Sequence, residues 1–256
     1  MFDHTSYPSS KQGLFEHALV EIEQLKQINT DSGRWYEDPL GVQYASVTTI
    51  LGSQDHDWLN QWREMVGEEE AERQAGRAAN RGTNVHQICE DYLSNKPDYL
   101  AGHMPINKLL FRDIHPWLDK HVGKIFGIEL RMFSKFLHAA GTADLIAEWD
   151  GKMAVIDFKT SNKEKERDEI EDYFMQSAAY CVMFEERTGI PVDRFVIVIA
   201  VEKGNAQIFY GERDKYIQKF IALGKEVRHA ALLKSRQCGD KGPTAMEEEL
   251  KSKGLT

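Results

Sequence analysis

The chain has 256 residues, of which 41% are hydrophobic and 29% charged, so it can form one large globular domain or two small ones. Its net charge of −9 counts against a general nucleic-acid binder, although an enzyme that must release its product can use a local basic strip. The 3 cysteines stand singly and no apolar run approaches the roughly 20 residues of a membrane span, which argues against a disulfide framework, a metal–sulfur cluster and a membrane protein.

The first part of the chain, residues 1–125, is predicted to be mainly helical. Apolar residues recur at helical spacing in several windows, and turn residues separate them. The predicted elements are a disordered start (1–12), a helix (14–27), a hairpin (34–44), a short helix from Val47 capped by Ser46, a helix (58–93) interrupted near Arg81-Gly82-Thr83, and a helix (105–121) broken by Pro116.

The second part, residues 126–236, changes character and has the order βββαβ before a closing strand and helix. The helix between the third and fourth strands requires at least one parallel pairing, so we predict an α+β fold with a mixed sheet. We expect the two parts to form one compact unit and residues 237–256 to be a mobile tail. The predicted elements are strands at 129–137, 142–149, 153–160, 195–201 and 206–210, and helices at 170–187 and 214–234.

The sharpest local signal is Asp150-Gly151, which is typical of a two-residue type I′ hairpin turn. Such a turn places Asp144 directly opposite Asp157, with Cβ atoms roughly 4.5–5.5 Å apart. Two carboxylates at that distance repel unless a divalent cation lies between them. Lys159 points to the same face, so the hairpin predicts a metal-dependent hydrolytic site. The alternative is a pair of solvated carboxylates, one of them protonated or paired with a lysine.

Five motifs in order resemble the PD-(D/E)XK nuclease superfamily, in particular its RecB-type exonuclease branch and the mitochondrial-genome-maintenance-type and phage exonucleases. The resemblance implies a restriction-endonuclease-like mixed sheet flanked by helices, with the N-terminal region as one wall of a DNA channel. Ala143 stands where the superfamily's name has proline, a position that touches no ligand. The motifs are Ser46–Leu51, Arg81-Gly82-Thr83-Asn84-Val85-His86, Gly141-x-x-Asp144, Asp157-Phe158-Lys159 and Gln176-x-x-x-Tyr180.

The resemblance also implies the roles of the site residues. Mg²⁺ or Mn²⁺ would be the cofactor, because hard cations prefer oxygen ligands. Lys159 would orient or help to deprotonate the attacking water and offset developing charge. Without the resemblance, Lys159 would be a solvated strand-end lysine and His86 an ordinary helix residue. The implied metal ligands are His86, Asp144, Asp157, the backbone carbonyl of Phe158 and, as a further candidate, Glu129.

Several residues are candidates for contacts with the nucleic acid. Gln176 and Tyr180 are four residues apart and share a helix face. The resemblance implies that this pair lies beside the site and contacts the DNA, and the alternative is a tyrosine packed on the sheet with an incidental glutamine. A basic stripe could follow a phosphate backbone, or it could be a helix face paired with glutamates. The stripe consists of Arg73, Arg77 and Arg81, and Lys163 after the third strand is a further candidate.

Together these patterns predict a metal-dependent DNA exonuclease, and the resemblance implies that it degrades single-stranded ends. The alternatives are an endonuclease or flap-processing enzyme with the same site, a non-catalytic DNA-binding recombination protein, and a metal-binding protein acting on another phosphorylated substrate. No iron–sulfur cluster is expected, and unwinding would need a helicase, recombinase or single-strand-binding partner. No targeting peptide is recognisable, so we expect the cytoplasm of a bacterium or phage-infected cell.

Overall fold

The computed structural model describes residues 14–31, 33–54 and 57–237. Within the last range it describes the side chains of residues 61–230. The predictions for residues 1–12 and for the tail after 237 lie outside the described residues. In the described part, no helix is long and apolar enough to cross a membrane.

A mixed sheet of eight strands forms the centre of the molecule, in the order β1-β2-β3-β5-β6-β7-β8, with β4 paired to β5. The parallel pairing of β6 with β7 around a crossover helix confirms the predicted topology, and the fold is α+β. The strands are β1 (Lys26–Thr30), β2 (Gly33–Glu37), β3 (Gln43–Ser46), β4 (Val122–Ser134), β5 (Ala139–Trp149), β6 (Lys152–Ser161), β7 (Arg194–Val201) and β8 (Gln207–Glu212).

Helices cover both faces of the sheet, and a one-turn 3₁₀ helix (Arg167–Ile170) leads into α5. The hydrophobic core on one face is formed with α1, α5 and α6, and that on the other face with α3 and α4. The helices are α1 (Val47–Leu51), α2 (Asp57–Val66), α3 (Glu68–Leu93), α4 (Pro105–His121), α5 (Glu171–Thr188) and α6 (Arg213–Gln237).

Strand β5 has one neighbour along one edge and two along the other. Strand β4 pairs with it from Ala139 to Trp149. On the opposite edge, β6 pairs only with residues 145–149, and β3 pairs in parallel only with residues 139–140. Residues 141–144 therefore lie where β3 and β6 diverge, and we call this gap the fork.

Two N-terminal predictions are confirmed. Strands β2 and β3 form the expected hairpin, and the Asp38 carboxylate closes its turn by accepting hydrogen bonds of 2.9 Å from the amides of Leu40 and Val42. Ser46 caps α1, because its hydroxyl accepts a hydrogen bond of 2.9 Å from the amide of Thr49.

The helix predicted over residues 14–27 is wrong. His17 forms a parallel bridge with Ile125, and the amides of Ala18 and Val20 donate to the carbonyls of Ile125 and Phe126 at 2.7 and 2.9 Å. The segment is extended along the edge of β4, and β1 follows it. A short isolated helix is only marginally stable, whereas pairing with β4 satisfies the same backbone groups in a stable sheet. The tertiary contacts with β4 therefore outweigh the helical spacing of the apolar residues.

Two predicted helix breaks are also wrong. Helix α3 runs through residues 81–83 without interruption, and the break falls instead at Gly67, whose φ of 84° no other residue type adopts easily. Helix α4 continues through Pro116, whose lost hydrogen bond is offset by the burial of Ile114 and Leu118 on the same helix.

Candidate metal centre at the fork

The turn between β5 and β6 sets the register of the acidic residues. Asp150 and Gly151 both have positive φ, 53° and 71°, as a type I′ turn requires. The ladder pairs Trp149 with Lys152 and ends at Leu145 with Ile156. Asp144 and Asp157 come next, one on each strand.

Beyond the last ladder pair, the side chain of Asp144 replaces a backbone partner. Its Oδ2 accepts a hydrogen bond of 2.8 Å from the amide of Phe158, so the carboxylate is held at the mouth of the fork. Phe158 thus supplies an amide to the site, while its carbonyl as a metal ligand stays a prediction.

Glu129 occupies the matching position on β4. The pairs Ile128–Leu145 and Leu130–Ala143 flank it, so it lies across from Asp144. Its φ of 46° is in the left-handed region, which is costly for a glutamate and is typical of residues held by functional constraints. Three acids on three neighbouring strands therefore form one row across the sheet, Glu129, Asp144 and Asp157.

Helix α3 adds an imidazole above this row. The Nδ1 atom of His86 lies 3.5 Å from Oδ1 of Asp144. One ligand atom each from His86, Glu129 and Asp144 lie within 4.8 Å of one another. One imidazole and two carboxylates form a donor set that suits a divalent cation. The site is therefore a candidate metal centre, and a cation there would neutralise the acids and polarise a phosphoryl oxygen.

Asp157 is buried beside the other acids and has two polar neighbours. Nε2 of Gln176 donates to its Oδ1 at 3.0 Å. The Lys159 ammonium lies 2.5 Å from its Oδ2, which accepts no hydrogen bond of good geometry. The Lys159–Asp157 pair therefore lies beside the candidate metal centre formed by His86, Glu129 and Asp144.

The proximity of these groups shifts their pKa values. Burial lowers the pKa of His86, but the charge of Asp144 and the bond to it outweigh that effect and raise the value to about 9. Loss of hydration around the Glu129 carboxyl, together with the nearby charge of Asp144, raises the pKa of Glu129 to about 7, although part of this side chain is exposed to water. Burial raises the pKa of Asp157 to about 6 against the opposing effect of Lys159. Asp144 keeps a lowered pKa, since the His86 charge outweighs its burial.

The glycine of the Gly141-x-x-Asp144 motif has a packing role that the sequence did not reveal. A β-carbon at Gly141 would lie 2.6 Å from Cε1 of the Tyr180 ring. Tyr180 is almost fully buried, and its hydroxyl accepts from Nε2 of Gln176 at 3.4 Å. Gly141 therefore lets α5 approach β5 closely enough for Gln176 to reach Asp157.

A pocket of about 530 Å³ opens over the acids, between α3 and the β2–β3–α1 segment. Its far wall includes residues that sequence reasoning missed. Tyr36 and Thr142 are joined there by a hydrogen bond of 3.0 Å between their hydroxyls, and Arg34 lines the rim. Nothing in the local sequence marks them, because the fold alone brings β2 to the fork.

The predicted basic residues are not a uniform stripe. Nε of Arg73 donates to Glu70 at 2.7 Å, and Lys163 lies 3.7 Å from Glu169. Arg81 is mostly buried, with its Nη1 2.5 Å from Oε2 of Glu202 after β7. Arg77 is exposed to solvent. These contacts favour the helix face paired with glutamates for Arg73, and a structural tie for Arg81.

An acidic row, a histidine and a lysine in the fork of a mixed sheet are the residue types that a metal-dependent phosphodiester hydrolase of the nuclease class would use. The family model of the PD-(D/E)XK nuclease superfamily matches residues 15–241, which is most of the chain. The chain belongs to this superfamily, and the resemblance drawn from its motifs is confirmed.

Two further comparisons add little. No curated protein matches the sequence. One solved structure similar to this chain is that of a protein from Eubacterium rectale, named provisionally as an exonuclease. Its sequence is 16% identical to this chain, and the TM-score is 0.44. The match covers 60% of this chain and 66% of that protein, just under two thirds of its length.

Proposed function

We propose that the chain is a DNA exonuclease dependent on Mg²⁺ or Mn²⁺ that hydrolyses phosphodiester bonds from single-stranded ends. The observation that carries the proposal is the cluster at the fork, where His86, Glu129 and Asp144 converge within 4.8 Å beside the Lys159–Asp157 pair. Two carboxylates and an imidazole at this spacing suit a divalent cation that assists hydrolysis of a phosphodiester.

Each residue then has a distinct role. Asp144, Asp157, Glu129 and His86 would hold the cation, which supplies charge to the reacting phosphate. Lys159, an ammonium beside Asp157, donates hydrogen bonds to the attacking water and to the phosphoryl oxygens rather than accepting a proton. Gln176 fixes Asp157, so it is a positioning residue.

The wall formed by α3 and the N-terminal region supports a preference for a single strand. The pocket over the acids lies between α3 and the β2–β3–α1 segment, and in this proposal it takes one strand rather than a duplex. Arg77 is an exposed candidate for a phosphate contact on the outer face of α3. A helicase, recombinase or single-strand-binding partner, a role in DNA repair or recombination, and a cytoplasmic, bacterial or phage setting belong to the same proposal.

The test is cleavage of end-labelled linear and circular single-stranded DNA with Mg²⁺ or Mn²⁺. We expect degradation of the linear strand only, a loss of about 10²–10³-fold in Lys159→Ala, and no loss in Lys152→Ala. Lys152 is a matched control, because it lies at the exposed end of the same strand. Cleavage of the circle would assign an endonuclease, and metal-independent binding without cleavage would assign a recombination protein.

A further inference from the structure

A second cavity of about 530 Å³ lies at the edge of the sheet, next to the metal centre. Its walls come from β4, from the end of α3 and from the extended segment along β4. We call it the edge pocket, and its main lining residues are Leu19, Val20, Glu90, Phe126, Ile128 and Leu130.

The edge pocket continues the pocket over the acids. Glu90 lines both cavities, one helical turn after His86 on α3. On β4, Glu129 lies between Ile128 and Leu130, so the row of acids ends where the edge pocket begins. The two cavities are therefore adjacent, with Glu90 as a shared lining residue between them.

The chemistry of the lining selects the occupant. Five of the nine lining residues have apolar side chains, one of them aromatic, and the polar ones are His17, Glu90 and Ser94. The carboxylates of Glu90 and of the neighbouring Glu129, which lines the pocket over the acids, would repel a phosphate. A nucleobase is neutral and planar with two apolar faces, and the volume lies in the range of small-molecule sites. Leu19 is 60% exposed beside the other apolar lining residues, so a base in the pocket would cover apolar surface that now faces water.

We propose that the edge pocket holds one nucleobase of a single-stranded substrate, next to the phosphodiester that is cleaved. The proposal rests on the nuclease function and assigns a subsite to it. Base contacts of this kind tolerate every sequence, because each base offers a π-face and apolar surface. The pocket would fix the distance between the strand's last bound base and the metal centre.

The test uses binding and cleavage separately. For binding, 2-aminopurine replaces successive bases of a single-stranded oligonucleotide, and its fluorescence is read on the Lys159→Ala protein. The fluorescence of 2-aminopurine should change on binding when it stands at one particular position of the oligonucleotide. Adding Leu19→Asp should abolish that change and weaken binding of the oligonucleotide about tenfold. Leu40→Asp is the matched control, because Leu40 is also an exposed leucine but lies on the β2–β3 turn.

For cleavage, a single abasic residue is moved along the strand. The cleavage rate of the wild-type protein should fall about tenfold when the abasic residue is at one particular position. The cleavage rate of Leu19→Asp should be low wherever the abasic residue is placed. If the cleavage rate does not depend on the position of the abasic residue, and Leu19→Asp cleaves at the same rate as Leu40→Asp, then the edge pocket does not bind a base. The proposed nuclease activity would be unaffected by that result. A Leu19-dependent signal in the binding experiment without any cleavage would support the subsite and overturn the nuclease.

Discussion

Gly141 and Tyr180 are in contact so close that the strand has no room for a β-carbon, which would lie 2.6 Å from the ring. Gly141→Ala should therefore destabilise the protein by about 1–3 kcal/mol and lower activity, since α5 must move away from β5. The measurement is chemical denaturation together with the cleavage rate.

Gly76→Ala is the control for that substitution. Gly76 lies in α3, and a β-carbon at this position would have no neighbouring atom within 4 Å, so alanine should stabilise the helix by about 0.5–1 kcal/mol. Equal effects of the two substitutions would mean that the contact with Tyr180 is not what requires glycine.

Cation binding should release protons and become tighter as pH rises from 6 to 9. The pKa values of His86, Glu129 and Asp157, about 9, 7 and 6, all lie above the ordinary values. Each group binds a proton below its pKa, and a cation must displace that proton. Titration calorimetry in two buffers of different ionisation enthalpy measures the release.

At pH 8 the proton released should come mainly from His86, so His86→Gln should abolish most of the buffer dependence there. More than one pH unit above the His86 pKa of about 9, the wild type should release almost none. A heat of binding that is independent of the buffer at pH 7 would exclude these groups as ligands.

Glu129→Asn should stabilise the fold and weaken the cation site. Asparagine tolerates the left-handed region better than glutamate, which should raise the free energy of unfolding by about 0.5–1 kcal/mol. The shorter neutral side chain removes a carboxylate from the centre, so the affinity for Mn²⁺ should fall. A variant that loses both stability and affinity would show that the strain at Glu129 is small.

Glu202→Gln should act through stability rather than through DNA binding. It leaves the mostly buried Arg81 without its carboxylate, at a cost of roughly 1–2 kcal/mol after allowance for the partial exposure of Glu202. The salt dependence of DNA binding should not change. Arg77→Gln is the contrasting variant, because loss of an exposed phosphate contact would lower the salt slope by about one.

The hairpin at the centre of the site was predictable because its information is local. Asp150-Gly151 determines the turn, the turn determines the register, and the register ends at Leu145 with Ile156, directly before Asp144 and Asp157. The alternation of strands and helices after Glu129 was predictable for the same reason.

Other features depend on partners that are distant in sequence. The apolar residues of the segment around His17 have helical spacing, yet this segment pairs with the edge of β4, more than a hundred residues later in the sequence. The closeness of Tyr36 to Thr142 and the burial of Arg81 against Glu202 likewise require the assembled sheet. Local patterns contain no information about such pairs.

The parallel pairing of β3 with β5 has a consequence for how the molecule comes apart. Strand β3 belongs to the N-terminal region, and it pairs with the same strand that bears Asp144. The two regions share this pairing, so we expect unfolding to show a single transition with coincident loss of secondary and tertiary signals. Removal of the N-terminal region would leave an open strand edge beside the acids, and the remaining fragment should aggregate rather than act as a smaller nuclease.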